Sequence, residues 1–421
     1  MDRNLNVLAA KYQVDANRAA RLIAAYKLNP VLTVGAEQFP FYSPVAGSFP
    51  RFFTTHPDAG ANPLYTLRLD TVVERGGKRE WRTAAAEEQL QAAEAQVADS
   101  IRIELFQLRR AFAAATLARE NFKLVETIEQ QYAQTEKLTL AKVDQGDIAK
   151  VEMYRIGAGR LQYQQAVLQA RTGYDAAVHD VLIALGARER DVEPADADVA
   201  QLRLVSTRTD PDPGQMPESL RNAALQIAGD FDDRPLAHTL ADLRQMALDR
   251  PDVAAARHLL TAAQNSTRLA RAQRLRDVDI GYEYQRTGSD STAGVVVSVP
   301  LFLHNDQRAL ATEAEASERV AEARLKQAEL QASTEVEKVY QTYVSARRVL
   351  DLYGTENLSQ LDRLRTIANV SYTEGASSLL ELLDAQRAYA AAMTGYNQAR
   401  SDYQLAVWEL EQAVGRSLQS E

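Results

Sequence analysis

The stretch from Arg79 to Gly186 recurs from Arg308 to Gly415 without a gap, at a constant offset of 229. Gly146 falls on Gly375, Tyr174 on Tyr403 and Gly186 on Gly415. A register kept over that length confines the chain to two copies of one structural unit. Upstream, Val7-Leu8-Ala9-Ala10 matches Val253-Ala254-Ala255-Ala256 and Gly35 matches Gly281, at an offset of 246. The difference lies mostly in a longer loop of the first copy, around Phe39 to Ala61. The expected organisation is a first repeat over 1–186, an irregular segment over 187–249, a second repeat over 250–415 and a tail over 416–421.

Each copy reads as helix, strand, loop, strand, very long helix, turn and return helix. Strands are expected at about 31–40, 64–73, 277–285 and 293–302. In Val278-Asp279-Ile280-Gly281-Tyr282-Glu283-Tyr284 the even positions are apolar and the odd ones polar or tiny. Tyr65, Leu67, Leu69 and Val73 share one face of their segment, with Arg68 and Asp70 on the other. About 9–11 residues of such alternation is what a tilted barrel strand needs to cross a bilayer. The same alternation also fits two hairpins packed on a soluble core.

The helices constrain more. Arg79 to Val143 contains neither Pro nor Gly, which at 1.5 Å per residue predicts roughly 100 Å of helix. Val97, Ile101, Leu105, Leu108, Phe112 and Ala115 are spaced 4, 4, 3, 4, 3, a seam like that of a coiled coil. Arg308 to about Tyr372 is expected to repeat this through Leu325, Leu330, Val336, Tyr340, Tyr343 and Val349. Polar turns containing Gly146 and Gly375 end the long helices. Return helices from Ile148 to Leu185 and from Ser377 to Val414 are then capped by Gly186 and Gly415. In the intervening segment, Asp191-Val192-Glu193-Pro194 and Asp210-Pro211-Asp212-Pro213-Gly214 mark irregular chain, and Pro217 to Ile227 reads as a short helix.

Composition removes other classes. A net charge of −9 and the lack of a basic, aromatic-interleaved stripe argue against nucleic acid. With no cysteine there is no disulfide, Cys-ligated zinc, thiol catalysis or N-terminal lipid anchor on this chain. No run of about 18 apolar residues is present for a membrane-spanning helix. Met1-Asp2-Arg3-Asn4 leads into an amphipathic helix with no signal peptide before it. Compared with the second copy the N-terminus reads as clipped, so an exported form would have lost its leader. His56, His179, His238, His258 and His304 show no ligand spacing. Neither a phosphate loop, a nucleophile elbow nor a His-Glu-x-x-His motif occurs, so no catalytic residue, metal site or cofactor is expected.

Four motifs then carry a family resemblance. They are Asn29-Pro30 before the first strand, Glu74-Arg75-Gly76-Gly77-Lys78-Arg79 at the strand-to-helix joint, and Arg250-Pro251-Asp252-Val253 opening the second copy. The fourth is Tyr372-Thr373-Glu374-Gly375-Ala376-Ser377-Ser378-Leu379-Leu380-Glu381-Leu382-Leu383-Asp384-Ala385-Gln386-Arg387. Over nearly its whole length the chain resembles TolC-type outer-membrane factors of tripartite efflux and type I secretion systems. Its Gly-Gly-Lys-Arg joint looks closest to the cobalt–zinc–cadmium resistance branch. The resemblance implies a mainly α chain with a small β part. Three copies would close long helical hairpins into an α-barrel, and four strands per chain into a twelve-stranded transmembrane β-barrel. It also implies an outer-membrane, Gram-negative location with a long periplasmic extension, a periplasmic adaptor and an inner-membrane pump as partners, and no enzyme activity.

The same resemblance assigns residues. Acidic positions six and nine after the second tip glycine, Glu381 and Asp384, would narrow the closed end; an i, i+3 pair faces one way. Ser377 stands where drug-type members carry a bridging arginine, and Glu152 occupies the acidic partner position, so closure is expected to rest on other contacts. Without the resemblance, Glu381 and Asp384 read as ordinary solvated carboxylates. The tips Asp144, Gln145, Gly146 and Asp147, with Glu374, Gly375, Ala376 and Ser378, would meet the adaptor. Gly76, Gly77, Lys78, Arg79, Asn305 and Arg308 would mark the membrane edge, with Lys78, Arg79 and Arg308 near lipid headgroups. The leading function is the exit duct of an efflux pump for small solutes, metal ions or drugs. A type I protein-secretion duct is the alternative within the same fold, and a soluble coiled-coil scaffold is the alternative outside it.

Overall fold

A computed structural model describes residues 4–37, 63–186, 205–207, 224–226, 229–303 and 306–418. The first-copy loop around Phe39 to Ala61, Asn305, and most of the segment between the copies lie outside the described residues. The elements run α1 (Leu5–Ala25), β1 (Val31–Glu37), β2 (Leu64–Val73), α2 (Lys78–Asp144), α3 (Lys150–Leu185), β3 (Val205–Thr207) and β4 (Ala224–Gln226). They continue as α4 (Leu240–Ala247), α5 (Pro251–Ala272), β5 (Val278–Thr287), β6 (Asp290–Ser298), α6 (Arg308–Leu352), α7 (Thr355–Thr373) and α8 (Leu379–Val414).

Two compact units divide the chain, and the division cuts across both sequence copies. One comprises Tyr12–Ala95 and Ala254–Ala328. Its centre is an antiparallel sheet in the order β1-β2-β5-β6. Pairing of β2 with β5, with Val73 opposite Val278 and Leu64 opposite Thr287, joins the first hairpin to the second. Buried Ala85, Ala86, Leu90, Ala255, Ala262 and Ala270 form the helical core of this unit. Small side chains let helices approach closely, and packing density is kept without large residues.

The other unit comprises Met1–Lys11, Gln96–Val253 and Glu329–Glu421. Here Ala115 packs with Tyr174, Val178 and Val181, bordered by Leu108 and Phe112, so three of the predicted seam residues of α2 meet α3. A second cluster joins Ile128 and Tyr132 of α2, Ile156 of α3, Tyr372 of α7, and Leu379, Leu382 and Leu383 of α8. The stretch after α4 is tied down by Arg250. Its guanidinium donates to Glu335 (2.6 Å), Asp252 (2.9 Å) and the Ala413 carbonyl (3.1 Å). Burial works against that charge, yet the hydrogen bonds to Glu335 and Asp252 outweigh it and raise the pKa.

Three expectations are corrected. The second long helix is interrupted between Leu352 and Thr355. Gly354 (φ −51°, ψ 157°) is extended rather than helical, and the Asn357 side chain donates to the freed Leu352 carbonyl. Glycine's lack of helical preference makes the break inexpensive there. Ala224–Gln226, expected within a short helix, is instead a strand paired with Val205–Thr207. Leu330, placed on the α6 seam, faces outward at 68% exposure. The end of α2 at Asp144 and the left-handed caps Gly186 and Gly415 agree with the sequence reading.

Candidate functional site

On the sheet, cross-strand register turns alternation into two faces. Leu32, Leu69, Tyr282 and Val295 stand in one row, and Val34, Leu67, Tyr284 and Ala293 in another. These rows are open to the surroundings, with Val34 at 74%, Tyr282 at 58% and Val295 at 63% exposure. The opposite face aligns Thr33, Arg68, Glu283 and Gly294. There Arg68 donates to Asp70 at 2.7 Å and lies 3.8 Å from Glu283. β2 and β5 therefore separate a greasy side from a charged side, and β1 and β6 continue the greasy rows with small or polar residues behind them, a two-sidedness suited to a sheet between lipid and water. The outer edges of β1 and β6 have no strand partner among the described residues. Among those residues no helix is long and apolar enough to cross a membrane.

The joint below β2 is built from Gly76 (φ 77°) and Gly77 (φ 70°), both left-handed. A Cβ on Gly76 would sit 2.7 Å from Leu275 Cδ1, so conformation and space both demand glycine. Of the expected membrane-edge residues, Lys78 turns inward. Its ammonium donates to the Leu275 carbonyl and to Asp277, each at 2.7 Å, and the side chain is 9% exposed. Arg79 is partly exposed beside Glu80, and Arg308 is well exposed beside Asp306. Arg79 and Arg308 thus keep exposed charge at their joints, while Lys78 holds its joint together.

At the tips both long helices end in the same way. Asp147 N–H donates to the Lys142 carbonyl and Ala376 N–H to the Ser371 carbonyl, around Gly146 (φ 82°) and Gly375 (φ 77°). These five-residue-back bonds satisfy carbonyls that a helix end leaves open. The return helices start differently. Ser378 and Glu381 form a reciprocal capping box on α8, whereas Ala149 offers α3 no side-chain cap.

The structure places Glu381 in that box, its carboxylate accepting from Ser378 N–H at 3.2 Å. Asp384 is exposed and faces Arg387 at 3.4 Å. Glu152 pairs with Arg155 on its own helix at 2.9 Å. The Ser377 hydroxyl is buried with no hydrogen-bond partner. What joins the two tips was not singled out from sequence. Lys142 of α2 donates to the Tyr372 carbonyl at 2.5 Å and lies over the Tyr372 ring at 4.6 Å. Thr139 and the Tyr372 hydroxyl share a buried bond of 2.7 Å. The available signal was position, since Lys142 and Tyr372 lie within a turn of Gly146 and Gly375.

Comparison with known proteins follows these features. Residues 243–416 match the family model described as outer membrane efflux protein. That match spans the second sequence copy and is a likeness to the family over those residues. No curated protein matches the sequence. Among solved structures, the outer-membrane channel OprN is 19% identical with a TM-score of 0.71, covering 99% of this chain and 88% of that one. The outer membrane protein VceC of Vibrio cholerae is 17% identical with a TM-score of 0.69, covering 99% and 94%. The MtrE outer membrane channel of Neisseria gonorrhoeae is 15% identical with a TM-score of 0.70, covering 99% and 87%. The matched segment therefore sits in a chain whose fold is similar along its length to those of solved outer-membrane channels. Among the described residues no group of three or more His, Cys, Asp or Glu is arranged to hold a metal ion.

Proposed function

We propose that this chain is one protomer of a homotrimeric outer-membrane exit duct, the passive last conduit of a tripartite efflux pump for small solutes, metal ions or drugs. The observation that carries the reading is the sheet with an exposed apolar face and two edges that have no strand partner among the described residues. Unpaired edges and bare apolar rows are costly in one chain, and closure with further copies in a bilayer removes both. Four strands per copy make twelve in a three-fold ring, and a cyclic ring needs one heterologous interface type.

On this reading the Gly76–Gly77 joint and Arg308 lie at the periplasmic membrane edge. The tips at Asp144–Asp147 and Glu374–Ser378 meet a periplasmic adaptor, and Glu381 and Asp384 line the narrow end. No bond chemistry is needed, so the working residues are constrictions and docking surfaces. The test is mass in detergent together with planar-bilayer recording. A three-chain particle that conducts supports the proposal, and a stable monomer soluble in plain buffer overturns it. Replacing Glu381 and Asp384 by Asn is expected to weaken block by multivalent cations; unchanged block would place the constriction elsewhere.

A further inference from the structure

The stretch from Asp230 to Leu236 crosses α6 and α8 on one side. The Tyr403 hydroxyl donates to the Arg234 carbonyl at 2.6 Å, and Arg347 donates to the Asp233 carbonyl at 2.8 Å. The Gln404 side chain accepts from Asp232 N–H at 2.8 Å, and the Tyr343 hydroxyl accepts from Leu236 N–H at 3.0 Å. At about 100° of rotation per residue, Asp402, Leu405 and Glu409 lie on the other side of α8, and Gln341 and Ser345 on the other side of α6. On the ring reading that side looks into the conduit, because a strap crossing the inside would obstruct it. Asp384 falls on the same line of α8, about five helical turns before Asp402.

A groove of about 550 Å³ runs between the two helices on that side, a size suited to a small organic molecule. Its floor is apolar: Ala399 and Ala406 are both 2% exposed, with Val349 and Leu405 beside them. Thr342 and Ser345, both exposed, put hydroxyls on the α6 wall, and Asp402 and Glu409 put carboxylates on the α8 wall.

α6 runs toward the tip and α8 away from it, and the Tyr343–Tyr403 ring contact at 5.7 Å fixes their register. Counted from that pair, Asp402 stands at the height between Thr342 and Ser345. Its carboxylate accepts from Gln398 at 2.8 Å, which leaves further acceptor positions open, and it has no ion pair among the described residues. Lys338 and Arg348 come level with the two ends of the groove, near Glu409 and Gln398. The middle therefore presents a carboxylate over an apolar floor. A bare metal ion does not fit this arrangement, since Glu409 is two turns from Asp402, about 10 Å along the helix. An ammonium carried on an apolar body does fit it, because the charge meets Asp402 while the body covers the floor.

We propose that the α6–α8 groove is a contact site for cationic amphiphilic cargo, with the ammonium on Asp402 and the apolar body on Leu405 and Val349. The inference rests on the duct reading above and names an organic ammonium as the cargo class. An open, half-solvated site suits a conduit, where cargo has to leave as readily as it enters.

The full chain, reconstituted in planar bilayers, is titrated with naphthylmethylammonium while current is recorded. Methylammonium supplies the charge without the apolar body, and naphthalenesulfonate supplies the body with the opposite charge. Naphthylmethylammonium is expected to block at lower concentration than either. Asp402→Asn should raise its blocking concentration about tenfold, the scale of one charge-assisted contact, and Leu405→Ser should raise it as well. Mass in detergent, measured on the same samples, checks that the variants still assemble. Equal block by methylammonium, or block unchanged by Asp402→Asn or by Leu405→Ser, overturns the groove while a conducting trimer keeps the duct. Block that survives Asp402→Asn but is lost when Glu381 and Asp384 are replaced by Asn puts the contact at the tip and also overturns the groove. A chain that forms no conducting trimer overturns both proposals.

Discussion

The Lys78 ammonium lies 2.7 Å from the Asp277 carboxylate, across 199 residues of sequence. That contact pins the first turn of α2 to the entry of β5, and the Arg75 N–H donates to the same carboxylate at 2.9 Å. Replacing Lys78 by Met keeps the stem and removes the charge. The Leu275 carbonyl loses its donor and Asp277 its counter-ion, so a cost of about 2 kcal/mol is expected. That is below the range for a fully buried pair because Asp277 retains access to solvent. Thermal unfolding in detergent measures it, and an unchanged midpoint would show that the joint does not depend on this contact.

Tyr132 carries a fully buried hydroxyl without a hydrogen-bond partner. Burial first, and then the neighbouring Tyr163, pushes its pKa up from 10.0 to about 12. The unfolded chain therefore releases this proton before the native one does. The stabilisation is complete below pH 10.0 and declines as pH rises towards about 12. Tyr403 is shifted the same way by burial and by Tyr343, so the wild type loses stability over that window from two sites. Tyr132→Phe is expected to flatten part of the decline and to be near neutral at pH 7, because it deletes an unpaired polar group. Denaturant midpoints followed across the window, variant against wild type, provide the check.

Ser378 caps α8 through Glu381 N–H at 3.3 Å. Ser378→Ala should destabilise the protein by about 1 kcal/mol, the usual value of such a cap. At the first tip Ala149 has no side-chain cap to lose, and Ala149→Ser is expected to add stability of similar size. Opposite signs in the two melting curves would confirm that the tips share a turn but not a helix start.

Arg250 is 5% exposed and has three partners on three segments. Arg250→Ala strands the Ala413 carbonyl and two carboxylates, of which Glu335 is 42% exposed. A loss of roughly 2–3 kcal/mol is expected, reduced from the fully buried case by that solvent access. Arg250→Lys should recover only part of it, because one ammonium cannot reproduce the guanidinium fork.

Periodicity and punctuation were legible in the residues themselves. Leu64–Val73 is a strand as its alternation requires, and α2 runs unbroken to Asp144 as a stretch lacking Pro and Gly should. Gly186 and Gly415 cap their helices because a left-handed residue is needed there. Local signals of this kind depend on a few neighbouring residues, so they survive in a linear reading. The family resemblance at the second tip was legible for the same reason.

Long-range pairing was decided only in three dimensions. β6 begins at Asp290 rather than near 293, because backbone pairing of Asp290 with Thr287 around Gly288 extends a ladder that polar side chains do not announce. Gly354 stops one long helix although the aligned first copy has no break. Lys78 looked like a surface cation until Leu275 and Asp277 folded over it. Tyr372 and Lys142 became the link between the tips only when α2 and α7 met. In each case the partner lies far along the chain or the competing local choices differ little in energy. Sequence therefore determined the main-sheet strands, the long helices and their glycine caps, while packing decided where helices break, which short segment pairs as a strand, which seam residues are covered and which charges are used inside the fold.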